Sequence, residues 1–481
     1  MKKTIILALA LAAIGGVAYA NLGALDTVPA ATLLVPYIVV DANAQGVPNV
    51  NGYTTLTVVT NVSSAKQIIH VTVYSAMSKG VVDFDEVLSG YDVWSINWRD
   101  LVTGDFENFD TGVNGTVGFF PGVHVGYVPS PYGPSTNVAS MPPNGLPAPY
   151  DYDKVNPPTT YGPNDATVGT CGFPWGNLNS FAGIIVQKLQ KPMTYDWSIQ
   201  DTDCNASTTG DQIPSPLFLS NLTVSPLFFY ATIDAVSSCN GFFPDIDSAY
   251  WNDNSNAGYN TKNNVLTGYD FYLNPTQNYS ESLPTVNIEA AVGTFSNGFY
   301  TSKRLAAGAN NSADDREPLP TAWAFNYFNS GGATTQVGVF KTYHELDTSP
   351  LLVWACRPYV YYAWDENENS KARTTTSCPS GLCFGSPEPN LFPFETQKVD
   401  VTTANFDGLM AGNGWMLLVF DPSVPKFAQQ NYDDLQTYVF AKYNFGAYST
   451  AVQATVMGNY WLDSSQVLPV LNTNAGAGVF E

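Results

Sequence analysis

The chain has 481 residues, with 41 acidic and 19 basic side chains and a formal net charge of −22. Proteins that bind nucleic acids need a basic face to neutralise phosphates, so the charge argues against that class of partner. Hydrophobic residues make up 44% of the chain, which is ample for a folded core and argues against disorder.

Residues 1–20 have the pattern of an export signal. Lys2 and Lys3 precede an apolar run, and the small-x-small sequence at Ala18 and Ala20 is typical of a signal-peptidase site. No later stretch reaches the roughly 18 to 20 apolar residues of a membrane helix. We therefore expect a protein without a transmembrane helix that is secreted or lies on the bacterial cell surface, with the periplasm as the alternative location.

The segment after the signal alternates strand-forming runs with turn residues. Strands are predicted at 31–40, 53–61, 67–76, 81–88 and 92–98. In the third strand His70 alternates with apolar neighbours, so we expect one core face, one partly wet face and a half-buried His70. Five strands in such a short span predict an all-β fold with immunoglobulin-like β-sandwich domains and long loops rich in Pro, Gly and Asn.

Composition divides the rest of the chain. Residues 21–105 are interpreted as N-terminal sandwich strands, 106–170 as a loop or linker rich in Pro, Gly and Tyr, and 171–481 as a larger β-rich domain with disulfides. The larger domain is predicted to contain short helices near 181–190 and 427–435. Its predicted strands are 222–233, 264–273, 284–295, 322–328, 336–342, 350–356, 359–364, 414–421, 436–445 and 447–457.

The even number of cysteines in a chain that we expect to be exported predicts disulfides. A local Cys378–Cys383 bridge is the favoured pair, and Cys171–Cys204 is a weaker second. A zinc site is the alternative, but none of the three histidines has ligand spacing to a cysteine pair. The disulfide candidates are Cys171, Cys204, Cys239, Cys356, Cys378 and Cys383.

Two groups of carboxylates are candidates for catalysis. Asp314, Asp315 and Glu317 flank Arg316, and Asp83 and Asp85 share one face of a strand. Paired carboxylates could cleave glycosidic bonds. An ion pair that holds the following turn explains the group around Arg316 more simply, and the sequence contains no catalytic signature.

Calcium is the only cofactor that the sequence suggests, because carboxylate and amide oxygens suit hard cations. A turn-rich segment supplies them close together, although ordinary Asx turns explain the same residues. The predicted ligands are Asp245, Asp247, Asp253 and Asn254.

Short blocks spread along the chain resemble those of an uncharacterised group of exported bacterial proteins. The blocks are LLVPY at 33–37, LSGYDV at 88–93, NVLTG at 264–268 and DDREPLP at 314–320. No activity comes with this group, so the resemblance implies only an exported bacterial protein.

These features favour a non-enzymatic structural or adhesive protein of the cell exterior, such as a surface-layer, filament or coat subunit. Its expected partners are other copies of itself, other surface proteins or glycans. The alternative is a secreted protein that binds carbohydrate, or cleaves it with paired carboxylates.

Overall fold

The structure is a computed structural model, and it describes only part of the chain. The described residues are 28–43, 47–76, 80–103, 124–125, 185–186, 189–190, 226–237, 244, 248–251, 259–290, 298–300, 315–342, 359–366, 370–375, 392, 395–406, 412–420, 436–446 and 448–458. The predicted signal at 1–20, the strand at 350–356 and the helix at 427–435 lie outside them.

Strands dominate the described residues, which confirms the predicted all-β class. They are β1 (Thr32–Val40), β2 (Thr54–Asn61), β3 (Gln67–Ser75), β4 (Gly80–Leu88), β5 (Val93–Asn97), β6 (His124–Val125), β7 (Leu227–Val236), β8 (Leu266–Asn274), β9 (Tyr279–Pro284), β10 (Val286–Ile288), β11 (Ala322–Phe328), β12 (Ala333–Lys341), β13 (Tyr359–Asp365), β14 (Ser370–Thr375), β15 (Thr396–Asp400), β16 (Asn413–Val419), β17 (Thr437–Phe445), β18 (Tyr448–Gln453) and β19 (Thr455–Gly458).

Helical structure is short. Helix α1 (Trp98–Thr103) follows β5 directly, where the sequence had predicted only the end of a strand. The predicted helix at 181–190 is helical at its described positions, 185–186 and 189–190. Single 3-10 turns occupy Ser248–Trp251 and Pro275–Gln277.

The first sandwich consists of two antiparallel sheets. Sheet I has the strand order β10-β1-β7-β3-β4-β6, and sheet II has the order β5-β2-β8-β9. Aliphatic residues from both sheets, among them Val71, Ile233 and Val59, form one buried core between them. Strands from 32–97 and from 227–288 pair within both sheets, so residues on either side of the predicted boundaries at 105 and 171 lie in the same sheets.

The second sandwich contains sheet III, ordered β14-β13-β16-β11-β19, and sheet IV, ordered β15-β12-β17-β18. Its core is aromatic, and Trp323 packs edge-on against Tyr438 with ring centroids 5.5 Å apart. The same core continues to sheet I, where Tyr230 meets Phe340 at 5.0 Å. The two sandwiches therefore share a continuous hydrophobic contact.

Sheet I is consequently buried on both faces. Every residue of β1 and β3 is buried, including His70 at 0% exposure. The expectation of one partly wet face and a half-buried His70 was wrong, because a second sandwich and its connecting segments cover the face that the sequence assigned to solvent.

Candidate functional site

Most of the predicted site residues lie outside the described part of the chain. The six cysteines, the four predicted calcium ligands and Asp314 lie outside the described residues. Within the described part of the chain, no group of three or more His, Cys, Asp or Glu side chains could hold a metal ion. The disulfides and calcium therefore stay predictions.

Asp83 and Asp85 share one face of sheet I, as predicted, and that face is buried. We call it the polar face, and its ionisable residues are His70, Asp83, Asp85 and Asp234. In the antiparallel register Asp85 lies opposite His70, and Asp83 lies opposite Thr72. His70 Nδ1 is 2.8 Å from Asp85 Oδ1, and His70 Nε2 is 3.7 Å from Asp83 Oδ2. Both carboxylates are at most 1% exposed.

Asp234 extends this polar face across sheet I, since it lies opposite His70 on β7. Its carboxylate accepts hydrogen bonds from Tyr250, at 2.7 Å, from Tyr300, at 2.9 Å, and from the hydroxyl of Thr32. Burial, followed by the Asp234 charge, raises the pKa of both tyrosines well above the ordinary value. Both phenols therefore stay protonated and continue to donate to Asp234.

Arg316 closes the cluster. Its guanidinium pairs with Asp315, and it donates to Thr32 Oγ1 at 2.6 Å and to the Thr261 carbonyl at 2.9 Å. Burial alone would lower the pKa of Arg316, but Asp315 and then Asp234 raise it above its ordinary value. The predicted ion pair between Arg316 and its acidic neighbour is confirmed.

The buried contacts of the polar face and Arg316 are suited to holding strands and their covering segments together. Their carboxylates, imidazole and guanidinium are all at most 1% exposed, so they do not line an open cleft where a polysaccharide could reach them. A buried charge is tolerated only when it is paired and hydrogen-bonded. The His70–Asp85 and Arg316–Asp315 contacts and the hydrogen bonds to Asp234 meet that need, and they join β1, β3, β4 and β7 to their covering segments. Glu317 is half-buried beside the network.

The solvent-facing side of sheet II has the opposite character. Leu56, Val58 and Thr60 of β2 point to this side, while Val59 between them is buried in the core. We call this surface the uncharged face, because every residue on it is uncharged. Its members are Leu56, Val58, Thr60, Val93, Ser95, Asn97, Thr267, Tyr269, Phe271, Leu273, Ser280, Ser282 and Pro284.

Several members of the uncharged face are large and accessible. Val93 is 59% exposed and Tyr269 is 51% exposed. Across the sheet, Tyr269 lies opposite Val58 on one side and Pro284 on the other. This contiguous apolar and hydroxyl surface marks a candidate interaction site.

The two edges of the uncharged face differ. At β9 the second sandwich approaches the sheet, since Glu281 pairs with Lys442 at 2.8 Å and accepts a hydrogen bond from Ser449 at 3.1 Å. At β5, no strand of the described chain pairs with the outer edge. Sequence reasoning missed this face, although the absence of charge at the alternate positions of β2, β5 and β8 was a readable signal.

No protein-family model, curated protein or solved structure matches this chain. In the part of the chain that the structure describes, no helix is long and apolar enough to cross a bilayer.

Proposed function

We propose that this chain is an exported, non-enzymatic structural or adhesive protein of the bacterial cell exterior, of the kind that builds a surface layer, filament or coat. The observation that carries the proposal is the uncharged face of sheet II on a chain with a net charge of −22. Export to the cell surface or periplasm, disulfide cross-links and a calcium requirement belong to the same proposal.

Charge explains why this face matters for assembly. Two copies of a strongly acidic protein repel each other, and burying an unpaired charge in a contact is costly. The uncharged face requires no charge to be desolvated, so it is a surface where another copy or another surface protein can pack. The ionisable groups of the polar face are already buried within the molecule and do not oppose that contact.

Electron microscopy of cells with and without the gene tests the proposal. A lattice, fibre or coat that is lost on deletion and restored by complementation is the expected result. A protein that stays a dispersed monomer, on cells that look the same with and without it, would contradict the proposal. Turnover of a defined substrate would contradict the non-enzymatic part.

A second candidate, glycan binding, is favoured by an aromatic stack on sheet III. The rings of Trp364 and Trp415 are parallel, with centroids 3.7 Å apart, and Tyr362 stacks on Trp364 at 6.0 Å. Tyr362 and Trp415 are half-buried, and aromatic rings at a partly exposed position are the groups on which sugars stack. Loss of glycan-array binding in Trp415→Ala would support this function, and an array with no signal for the parent protein would remove it.

A further inference from the structure

We propose that the edge strand β5 pairs with β5 of a second copy, in an antiparallel two-fold arrangement centred on Ser95, which joins two uncharged faces into one continuous surface. This inference rests on the proposed function and specifies the contact through which copies would assemble.

The first argument is that β5 lacks the usual protection of an edge strand. Natural edges carry charged residues, Pro or bulges that prevent pairing with another chain. The β5 sequence Val-Trp-Ser-Ile-Asn contains no charge and no Pro, and its register with β2 runs without a bulge from Val93 to Asn97. Nothing in the strand itself opposes the addition of another strand.

The second argument is the direction of the backbone groups. The Asn61 amide donates to the Asp92 carbonyl at 2.9 Å. Because hydrogen-bonded and non-hydrogen-bonded pairs alternate along an antiparallel ladder, Val93, Ser95 and Asn97 present their backbone groups to the open edge. The Val93 amide is capped by the Asp92 carboxylate at 2.9 Å. Ser95 is thus the central residue of this edge, and within the described part of the chain no other strand pairs with its amide and carbonyl.

The third argument is charge complementarity at the two ends of the strand. Asp92 precedes β5 and Arg99 follows it, while the Asp100 carboxylate is held by Asn97 Nδ2 at 3.1 Å. Hydrogen bonds from Ser89 lower the pKa of Asp92, so this carboxylate is ionised at neutral pH. The Arg99 guanidinium donates to the carbonyls of Val50 and Gly52 in its own chain. In a two-fold pair centred on Ser95, position 92 of one copy lies opposite position 98 of the other, so the Asp92 carboxylate approaches this cationic end of the partner strand.

The fourth argument is size. With strands about 4.8 Å apart and roughly 3.4 Å per residue, the uncharged face covers on the order of 400 Å² on one copy. A stable interface buries about 800 Å² per partner, so the face alone is too small for a lasting contact. Pairing at β5 joins two such faces into one exposed surface on the order of 800 Å², which is the size that contact with a further copy requires. A second copy of this chain supplies both that added surface and the main-chain hydrogen bonds of the β5 pair.

Cysteine cross-linking of the mature full chain tests the pairing. In a hydrogen-bonded antiparallel pair the Cα atoms are about 5.5 Å apart, within the range that a disulfide spans. Mild oxidation of Ser95→Cys should give at least about tenfold more covalent dimer than Ser282→Cys, since a disulfide forms only between closely placed residues. Ser282 is the matched control, because it is exposed on the same face but lies on β9. The parent chain with its own six cysteines gives the background.

The outcomes separate this inference from the proposed function. A parent protein that self-associates in sedimentation, while Ser95→Cys yields no more dimer than Ser282→Cys, overturns the edge pairing and leaves the structural function standing. A parent that is monomeric at every concentration, or that binds only other surface material, overturns the pairing with a second copy. Circular dichroism of both variants shows that the fold is intact.

Discussion

The polar face of sheet I and the uncharged face of sheet II use their residues in opposite ways. Sheet I buries Asp83, Asp85, His70 and Asp234, whereas sheet II exposes Tyr269 and its apolar neighbours to solvent. In most soluble proteins charge lies outside and apolar groups lie inside. The buried charges hold sheet I to the segments that cover it, whereas the exposed apolar surface of sheet II is free to contact other molecules.

Strand β8 contains both an exposed apolar residue and a buried acidic residue. On β8, Tyr269 points to solvent and the next residue, Asp270, is fully buried with its Oδ1 accepting a hydrogen bond from Thr57 at 2.6 Å. Burial raises the pKa of Asp270 from 3.8 to about 8. Among the described residues Asp270 has no cationic partner, and burial keeps its carboxyl protonated at neutral pH.

The largest effect that we predict comes from Asp270→Asn. The unfolded carboxyl ionises near pH 4, while the folded one stays protonated up to about pH 8, so its contribution to stability is complete below pH 4 and is lost as the pH rises to about 8. Linkage sets this loss on the order of 5 kcal/mol. Asp270→Asn should remove that pH dependence in urea unfolding.

The control for this prediction is Asp400→Asn, because Asp400 is an exposed carboxylate on β15. Its unfolding should keep the pH dependence of the parent. A parent and an Asp270→Asn variant with parallel stability curves from pH 4 to pH 8 would contradict the protonated state of Asp270.

The second prediction concerns the buried positive charge of Arg316 beside the polar face. Arg316→Met removes the guanidinium that neutralises Asp315 and supports Asp234, and an uncompensated buried charge typically costs about 3–5 kcal/mol of unfolding free energy. Lys262→Met is the control, since Lys262 also contacts Asp315, at 3.2 Å, but is 61% exposed. It should change stability by less than about 1 kcal/mol. Equal losses in the two variants would show that burial does not set the strength of these pairs.

The third and smallest effect distinguishes satisfied from unsatisfied phenols. The Tyr438 hydroxyl is buried and has no hydrogen-bond partner among the described residues, whereas Tyr327 donates to the Trp364 carbonyl at 3.0 Å. Tyr438→Phe should stabilise the fold by about 1 kcal/mol, and Tyr327→Phe should destabilise it by a similar amount. Thermal unfolding measures both, and a loss in Tyr438→Phe would mean that its hydroxyl makes a stabilising interaction.

Local patterns predicted much of the fold. The strands at 67–76 and 322–328 agree closely with β3 and β11, because β-branched and aromatic runs bounded by turn residues specify a strand through short-range interactions. Helix α1 was missed because six residues show too little periodicity. The strand β15 was missed because its sequence, Thr-Gln-Lys-Val-Asp, has few apolar residues and depends on pairing with β12.

The burial and grouping of the site residues depend on long-range packing, so the sequence alone did not predict them. The polarity of His70 suggested solvent, but Tyr250, which lies far along the chain, packs against its ring. The ion pair of Arg316 was predictable because its partner is the adjacent residue. The lack of charge at alternate positions of β2, β5 and β8 is readable in the sequence, but the face itself depends on the register of these strands, which is a property of the folded sheet.

The central claim is that the uncharged face of sheet II is the surface through which copies of this protein associate. Sedimentation velocity of the mature protein over a wide concentration range, compared with Tyr269→Lys, tests it most directly. Tyr448→Lys is the control, because Tyr448 is 79% exposed on a different sheet. We predict that the parent and Tyr448→Lys form assemblies larger than a dimer as concentration rises, whereas Tyr269→Lys, which leaves the β5 edge unchanged, forms nothing larger than a dimer. Association of Tyr269→Lys equal to that of the parent would contradict the claim.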